Sequence, residues 1–341
     1  MRPTTIEIPD DDEVPDASPI TSTTNTAARK DWPSAFASAM AAGCNLTAIQ
    51  ITPRPRLMGQ WMKQGDLGMI YAARGVGKTW MSMLIAQAIS DGAPLGEWDA
   101  GELGPQKVLY VDGEMNLADS KERTNAIRSA LVGGQVPGFL HHETLPEGYC
   151  FNLADAEQQE SLLAQVVEAG VQVVILDNLS CLCRGVKEND NDEWEKMNSW
   201  LRRFRRARVT VILIHHEGRG GGGARGASKR EDEMQWVIRL TSSHDATHEG
   251  AVFTSEFTKC RNCKAHDAPP LDWKVTAEGV ECERGDDMLL LIELVRDGFN
   301  QCGEIAEMMG RSKGQVSKVA RRAMKTGRLE KSGQKYAIPG S

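Results

Sequence analysis

The sequence predicts an α/β fold with a mostly parallel sheet and an antiparallel edge, followed by a small helical domain. The first observation is a glycine-rich loop between an apolar strand pattern at residues 67–71 and a helical pattern at residues 80–90. The second is that strand and helix patterns go on alternating as far as residue 214, which is typical of a doubly wound sheet. The third is a change after residue 285 to three short helical patterns and a hairpin.

Length and composition indicate the class of protein. With 341 residues, 40% hydrophobic and 26% charged, the chain is expected to be soluble and to form about two domains. No apolar run approaches the ~20 residues that cross a bilayer, and eight scattered cysteines favour a reducing compartment. We therefore expect a cytoplasmic protein without a membrane partner.

The chain divides by composition into a tail and two domains. The first 30 residues hold six acidic and three basic side chains and contribute to the net charge of −7. They can bury little apolar surface, so we expect a disordered acidic tail over residues 1–30. A core domain is expected over residues 31–284 and a second domain over residues 285–341.

The glycine-rich loop has the pattern of a phosphate-binding P-loop, with Ala72 where the pattern has its first glycine. Glycines let the backbone turn tightly and point its N–H groups at phosphate oxygens, and the following helix adds partial positive charge. Lys78 is expected to reach the β- and γ-phosphates, and the Thr79 hydroxyl to bind Mg²⁺. The loop therefore predicts ATP and Mg²⁺ as cofactors. The expected nucleotide-binding residues are Ala73, Arg74, Gly75, Val76, Gly77, Lys78 and Thr79.

Carboxylates follow two of the predicted strands. Asp177 ends the apolar run at residues 173–176, which is the Walker B pattern, and such a carboxylate can hold Mg²⁺ through water. Hydrolysis also needs a carboxylate that orients and deprotonates the attacking water. Asp177 is followed by Asn178, so we expect Glu114, at the tip of the preceding strand, to take this role. Asp112 is the reserve, and we expect it to point to the opposite side of the strand end.

Two further segments carry polar groups near the expected nucleotide. His215 and His216 end the fourth predicted strand, where a polar side chain could sense the γ-phosphate, and we expect His215 to do so; two surface histidines are the alternative. The loop at residues 218–229 is rich in glycine and carries Arg219, Arg225 and Lys229. A flexible cationic loop suits contact with a single-strand backbone, and an ordinary surface loop is the alternative.

Together with a Lys-x-Arg pair at Lys259 and Arg261, these motifs resemble the RecA-like hexameric replicative helicases, in particular the plasmid RepA-type ATPase/helicase family. The resemblance spans about residues 48–284. It implies that Lys259 and Arg261 reach the ATP of a neighbouring subunit, and it implies a homo-hexamer. A cation delivered by a neighbour would neutralise charge on the transferred phosphoryl group.

Two cysteine pairs, Cys181/Cys183 and Cys260/Cys263, have short spacings that occur in zinc sites. The first pair has one-residue spacing and the second lies within the Lys-x-Arg segment. Ordinary reduced cysteines are the favoured interpretation.

The carboxyl-terminal pattern predicts a winged helix-turn-helix that binds duplex DNA. From Arg311 to Lys335 the chain holds nine Lys or Arg residues and one acidic residue, Glu330, and this asymmetry favours nucleic acid as the partner. Ser312 is expected to cap the last helix. Docking of another protein is the alternative for this domain. The expected DNA contacts are Lys313, Gln315, Lys318, Arg321 and Arg322.

These observations favour an ATP-hydrolysing, ring-forming DNA motor, namely a replicative helicase of a plasmid, phage or other mobile element. It would hold single-stranded DNA through central loops and duplex DNA through the winged helix. The alternative is an ATP-dependent DNA-binding regulator without unwinding activity. A RecA-like recombination mediator that forms open filaments is the third hypothesis.

Overall fold

A single central sheet organises residues 54–341 in the computed structural model. The structure describes residues 31–43, 52–183, 191–217, 231–242, 250–264, 267–276, 279–309, 311–325 and 327–339. Within these residues the sheet has nine strands, in the order β11-β10-β9-β8-β3-β7-β6-β4-β5. They are β3 (Leu67–Ala72), β4 (Val108–Asp112), β5 (Gly138–His141), β6 (Val173–Asp177), β7 (Thr210–His216), β8 (Trp236–Ser242), β9 (Ala251–Cys260), β10 (Leu271–Thr276) and β11 (Gly279–Arg284).

The sheet is parallel from β8 to β5 and antiparallel from β8 to β11. The predicted mostly parallel sheet with an antiparallel edge is therefore confirmed. Every residue of β3 and β6 is buried, as expected for strands that are covered on both faces. This explains why these strands are continuously apolar in the sequence.

Helices cover the two faces of the sheet and form two separate apolar cores. One core contains the buried side of α2, and the other contains apolar side chains of α4, α5 and α6. A short hairpin of β1 and β2 precedes the sheet and contributes Met58 and Met62 to the first core. These elements are β1 (Arg56–Met58), β2 (Met62–Lys63), α2 (Lys78–Asp91), α3 (Leu117–Leu131), α4 (Ala156–Glu168), α5 (Leu179–Leu182) and α6 (Asn191–Arg206).

The last part of the chain, here called the C-terminal helical segment (residues 285–339), consists of three helices and a hairpin. It has its own apolar core, to which Leu291, Ile305, Val316 and Leu329 belong. Arg311 forms an ion pair with Asp287 inside the segment, at 3.0 Å. Its elements are α7 (Asp286–Arg296), α8 (Cys302–Met309), α9 (Lys313–Lys325), β12 (Glu330–Ser332) and β13 (Lys335–Ala337).

The described part of the first unit, which ends at Pro53, comprises residues 31–43 and 52–53 and contains one helix, α1 (Trp32–Gly43). Asp31 accepts a hydrogen bond from the Ser34 N–H and so caps its first turn. Trp32, Phe36 and Met40 are exposed along α1 at intervals of four residues. Among the described residues, no helix combines the length and the apolar character that a membrane span requires.

Candidate nucleotide-binding site

The P-loop joins the end of β3 to the start of α2, as the sequence predicts. Gly75 and Gly77 have φ angles of 78° and 118°, in the region that favours glycine over other residues. A Cβ on Gly77 would lie 2.6 Å from Cδ1 of Phe253, so β9 leaves no room for a side chain there. Ala72, which departs from the glycine pattern, is the last residue of β3 and is buried in the sheet. A strand position accepts alanine without strain, so this departure leaves the loop intact.

Lys78 lies at the base of the loop. Its Nζ donates hydrogen bonds to the carbonyl oxygens of Ala72 and Ala73, at 3.2 and 2.9 Å. Burial lowers the pKa of Lys78, while the nearby Asp177 and Glu114 carboxylates act in the opposite direction. A cation is therefore held between the loop and the acidic strand ends, where phosphate oxygens would be bound.

Asp177 ends β6 and is almost fully buried. Burial raises its pKa to about 6, although hydrogen bonds from Tyr110 and Thr79 favour the charged form. The Tyr110 hydroxyl donates to Oδ2 of Asp177 at 2.6 Å. Asp177 and Thr79 together offer a carboxylate and a hydroxyl oxygen, which are hard ligands of the kind that Mg²⁺ prefers. The residues at this position therefore fit a magnesium ion.

Glu114 lies beside Asn178 and His216 at the carboxyl ends of the strands. The Asn178 amide donates to Oε2 of Glu114 and lies 3.1 Å from Nε2 of His216. The same His216 nitrogen is 3.7 Å from the Glu114 carboxylate, which is about half exposed. A half-exposed carboxylate that neighbouring polar groups orient can receive a proton from water. This arrangement suits the role expected for Glu114.

Asp112, the reserve candidate, holds the turn that carries Glu114. Its Oδ1 accepts hydrogen bonds from the N–H groups of Glu114 and Met115, both at 3.0 Å. Its Oδ2 accepts from the Ser120 hydroxyl of α3 at 2.8 Å. Because the carboxylate is buried and engaged with these donors, Asp112 positions the turn that carries Glu114.

The two histidines at the end of β7 lie on opposite faces of the sheet, and the role expected for His215 stays a prediction. Along β7, Ile212 and Ile214 belong to the core that contains α2, whereas Val211 and Leu213 belong to the opposite core. Since successive side chains of a strand point to opposite faces, His216 projects on the side of the P-loop helix and His215 on the other side. His216, and not His215, is therefore the histidine beside Glu114.

Lys259 and Arg261 lie at the opposite end of the sheet from the P-loop. In β9, Phe253 is next to Gly77, whereas Lys259 is six positions further along the strand, about 20 Å at the usual rise. The ammonium of Lys259 and the guanidinium of Arg261 both donate to backbone carbonyl oxygens of residues 231 and 232. Desolvation lowers the pKa of Lys259, and the nearby Arg261 charge lowers it further. Neither cation reaches the P-loop of its own chain.

The expected DNA contacts have several different surroundings. Lys318 and Arg322 of α9 form ion pairs with Glu283 of β11, and Arg322 also pairs with Asp272 of β10. Gln315 receives hydrogen bonds from Ser312 and donates its N–H to the Ser312 hydroxyl at 3.3 Å, so the predicted Ser312 cap is confirmed. Lys313 and Arg321 remain on the outer side of α9. Arg219, Arg225 and Lys229 lie outside the described residues.

The two cysteine pairs lie within the described residues, and one of them brings its sulfur atoms together. Cys260 and Cys263 have sulfur atoms 3.3 Å apart, but no third metal-binding side chain of the described part accompanies them. Burial raises the pKa of Cys263 to about 12, which favours the neutral thiol. None of the described cysteines forms a disulfide bond.

Three residues of the site were not predicted from the sequence: Tyr110, Asn178 as a hydrogen-bond donor, and His216. Their roles depend on which strands are neighbours in the sheet. For example, Tyr110 lies two residues before Asp112, and the pairing of Asp112 with Asp177 brings Tyr110 close to Asp177. The available signal is the position of a tyrosine within an otherwise apolar strand, since a buried hydroxyl needs a partner.

Comparison with known proteins supports the nucleotide-binding assignment. A family model described as AAA domain matches residues 35–222, more than half of the chain. No curated protein matches the sequence. Among solved structures, the chain is similar to a KaiC-like protein from the hyperthermophilic archaeon Pyrococcus horikoshii, with 15% identity and a TM-score of 0.45. That similarity covers 65% of this chain and 90% of the other.

Proposed function

Because the chain belongs to the AAA domain family, we propose that it is an ATP-driven DNA motor that works as a ring. Within that proposal it is a replicative helicase of a plasmid, phage or other mobile element, similar to the plasmid RepA-type enzymes. The observation that carries the proposal is the position of Lys259 and Arg261, about 20 Å along β9 from the P-loop of their own chain. Cations placed there serve a nucleotide only if it is bound to another subunit.

The catalytic groups have separate tasks in this proposal. Lys78 binds the phosphates, Glu114 takes a proton from the attacking water, and Asn178 and His216 orient Glu114. When bound through Thr79 and Asp177, Mg²⁺ would neutralise charge on the phosphates. Lys259 and Arg261 of a neighbouring subunit would stabilise the negative charge that develops during phosphoryl transfer, a contribution of about 10³–10⁵ in rate for such cations. Hydrolysis would then depend on assembly.

DNA is the proposed partner on the basis of charge. The C-terminal helical segment has the helix order of a winged helix-turn-helix and carries an excess of basic residues on α9 and the hairpin. Among the described side chains of α9, Lys313 and Arg321 are exposed and outside the ion pairs with the sheet, so they are proposed to bind phosphate. The basic loop at residues 218–229 would contact single-stranded DNA in the centre of a homo-hexamer.

The ring is tested by mixing two inactive variants. Lys78→Ala loses nucleotide binding but keeps its Arg261, and Arg261→Ala binds nucleotide but lacks the cation for its neighbour. We expect each variant alone to lose DNA-stimulated ATPase activity and the mixture to regain part of it, because some interfaces combine both intact halves. Arg206→Ala, an exposed arginine of α6, is the matched control and should keep full activity.

The same samples are measured by mass photometry and by ATPase rate with and without single-stranded DNA. A protein that stays monomeric with ATP and DNA, yet hydrolyses ATP at full rate, contradicts the ring. Loss of nucleotide binding in Arg261→Ala would instead make Arg261 a ligand within its own chain.

A second function, an ATP-switched DNA-binding regulator without unwinding activity, is favoured by one observation. Lys318 and Arg322 of α9 are engaged by acidic residues of the sheet, which is an arrangement that nucleotide-dependent movement of the sheet edge could change. A strand-displacement assay on a forked duplex separates the two functions. The regulator binds the fork in the presence of ATP and leaves its strands paired.

A further inference from the structure

Two buried hydroxyl groups connect Asp177, an expected magnesium ligand, to the first turn of the P-loop helix. The Tyr110 oxygen is 2.6 Å from Oδ2 of Asp177 and 2.8 Å from the Ser82 hydroxyl. The Ser82 hydroxyl in turn lies 3.1 Å from the carbonyl oxygen of Thr79. Tyr110 and Ser82 are both completely buried. The chain of hydroxyl groups therefore runs from the first turn of α2, through β4, to the end of β6.

The direction of these hydrogen bonds follows from the number of protons. A buried Asp177 carboxylate only accepts, so the single hydroxyl proton of Tyr110 is directed at it. The Tyr110 oxygen can then only accept from Ser82, whose single hydroxyl proton lies within hydrogen-bond distance of two acceptors, the Tyr110 oxygen and the Thr79 carbonyl oxygen. Oδ2 of Asp177 is thereby occupied, and this bond holds the carboxylate in one orientation.

The ring of Tyr110 gives the hydroxyl a fixed position. It stacks on Phe139 of β5, with ring centroids 5.1 Å apart, and its strand neighbour on β6 is Ile175. A phenylalanine would fill this apolar position as well, whereas a buried hydroxyl without a partner costs free energy. The contact with Asp177 is therefore the physical reason for a tyrosine at position 110.

We propose that Tyr110, supported by Ser82, is a positioning residue that orients Asp177 for Mg²⁺ binding and connects it to the P-loop helix. Groups that hydrogen-bond a metal ligand keep it in one orientation, and their removal typically weakens metal binding by about 10–100-fold. This inference rests on the nucleotide-binding assignment of the P-loop and is independent of the proposed DNA motor.

The test is Tyr110→Phe, which removes one oxygen and keeps the packed ring. Binding of the fluorescent nucleotide mant-ADP is titrated with Mg²⁺, and separately measured in EDTA. We expect the Mg²⁺ concentration that gives half of the metal-dependent binding to rise about tenfold. Nucleotide affinity in EDTA should stay at the wild-type value, because Tyr110 does not contact the loop that holds the phosphates.

The matched control is Tyr71→Phe. Tyr71 is a second buried tyrosine, on the P-loop strand, and its side chain belongs to the opposite core. Tyr71→Phe also removes one tyrosine hydroxyl, but on the other face of the sheet, and should leave the Mg²⁺ dependence unchanged. Mn²⁺ binding followed by electron paramagnetic resonance gives a second measurement that does not depend on hydrolysis, and Tyr110→Phe should weaken it in the same way.

An unchanged Mg²⁺ requirement in Tyr110→Phe would overturn the proposal, and so would an equal loss of nucleotide binding with and without the metal. If Tyr110→Phe does not fold, Ser82→Ala tests the same chain, and we expect it to raise the Mg²⁺ requirement several-fold, less than the loss of the tyrosine hydroxyl itself. An unchanged requirement in Ser82→Ala then overturns the proposal. Failure of the wild-type protein to bind mant-ADP would refute the nucleotide assignment instead.

Discussion

The Asn178 side chain forms hydrogen bonds through both its amide oxygen and its N–H₂ group. These bonds determine which of the two groups faces Glu114. Oδ1 of Asn178 accepts a hydrogen bond from the Cys181 N–H at 3.1 Å, at the start of α5. The amide is therefore oriented with its N–H₂ group toward Glu114 and His216. A donor at this position stabilises a carboxylate, whereas a second carboxylate would repel it.

Asn178→Asp is expected to reduce the rate of ATP hydrolysis by a factor of about ten or more, because a displaced general base loses much of its usual 10²–10⁴-fold contribution. Binding of mant-ADP should be unchanged, since Asn178 does not contact the P-loop. The measurement is kcat by a phosphate-release assay beside the dissociation constant of mant-ADP.

Asn116→Asp is the control for this substitution. Asn116 caps α3 by accepting from the N–H groups of Ala118 and Asp119, which an aspartate does equally well. It adds the same charge near the Glu114 turn and should keep its activity. A normal kcat in Asn178→Asp would show that the amide has no part in presenting Glu114.

At the scale of whole elements, the long periodic patterns were predictable and the short ones were not. The β3–α2 unit and α9 agree with the predicted segments to within a few residues, because their apolar spacing extends over several turns or over a whole strand. The four-residue strand β5 and the hairpin β1–β2 were missed, since so few residues carry no recognisable period.

The parts of the site also differ in whether the sequence could predict them. The P-loop and the acidic strand ends follow from motifs that are local in the chain. The choice of His216 over His215 depends instead on the face of β7, and the role of Tyr110 depends on a cross-strand neighbour. Contacts of this kind require the pairing of strands that are about 60 residues apart in the chain, such as β4 and β6, which no local pattern contains.

One such long-range contact leads to a prediction about the element that binds phosphate. Gly77→Ala places a methyl group 2.6 Å from Cδ1 of Phe253, at a φ of 118°. Backbone strain of about 1–2 kcal/mol and overpacking of about 1–3 kcal/mol should together lower the free energy of unfolding by about 2–5 kcal/mol. Urea denaturation followed by tryptophan fluorescence measures this change.

Gly75→Ala is the matched variant in the same loop. Gly75 also has a left-handed φ, of 78°, but a Cβ there would meet no atom within 4 Å. The free energy of unfolding of Gly75→Ala should therefore fall only by the cost of backbone strain, about 1–2 kcal/mol. If the free energy of unfolding falls equally in the two variants, Phe253 of β9 does not restrict the space at position 77.

At the scale of residues 54–341, the acidic sheet edge and the basic helix α9 are joined by a small ion-pair network. Arg322 bridges Glu283 and Asp272, and Lys318 also pairs with Glu283. Single exposed ion pairs contribute about 0.2–1 kcal/mol, and a network in which one arginine contacts two carboxylates contributes more than an isolated pair. Lys318 and Arg322, which we expected to contact DNA, thus form ion pairs with acidic residues of the sheet.

Glu283→Lys should loosen this contact, because a third cation would then face Lys318 and Arg322. We expect faster amide hydrogen exchange in α9 and easier proteolysis near residue 285, with nucleotide binding unchanged. If α9 binds DNA as proposed, two additional cations become available for phosphate. The slope of log K against log salt for duplex DNA should then become steeper by up to about 1.8, at about 0.9 for each phosphate contact.

Glu281→Lys is the control on the same strand, because Glu281 forms its ion pair with Lys274 of β10 at 3.3 Å and acts on Lys318 of α9 only through its charge. It makes the same charge change two residues away, so it separates the loss of a specific contact from a general change in net charge. Equal exchange in α9 for both variants would contradict docking through Glu283. If exchange in α9 is faster in Glu283→Lys but the salt dependence of DNA binding is no steeper, the docking contact is supported. In that case Lys318 and Arg322 do not contact DNA.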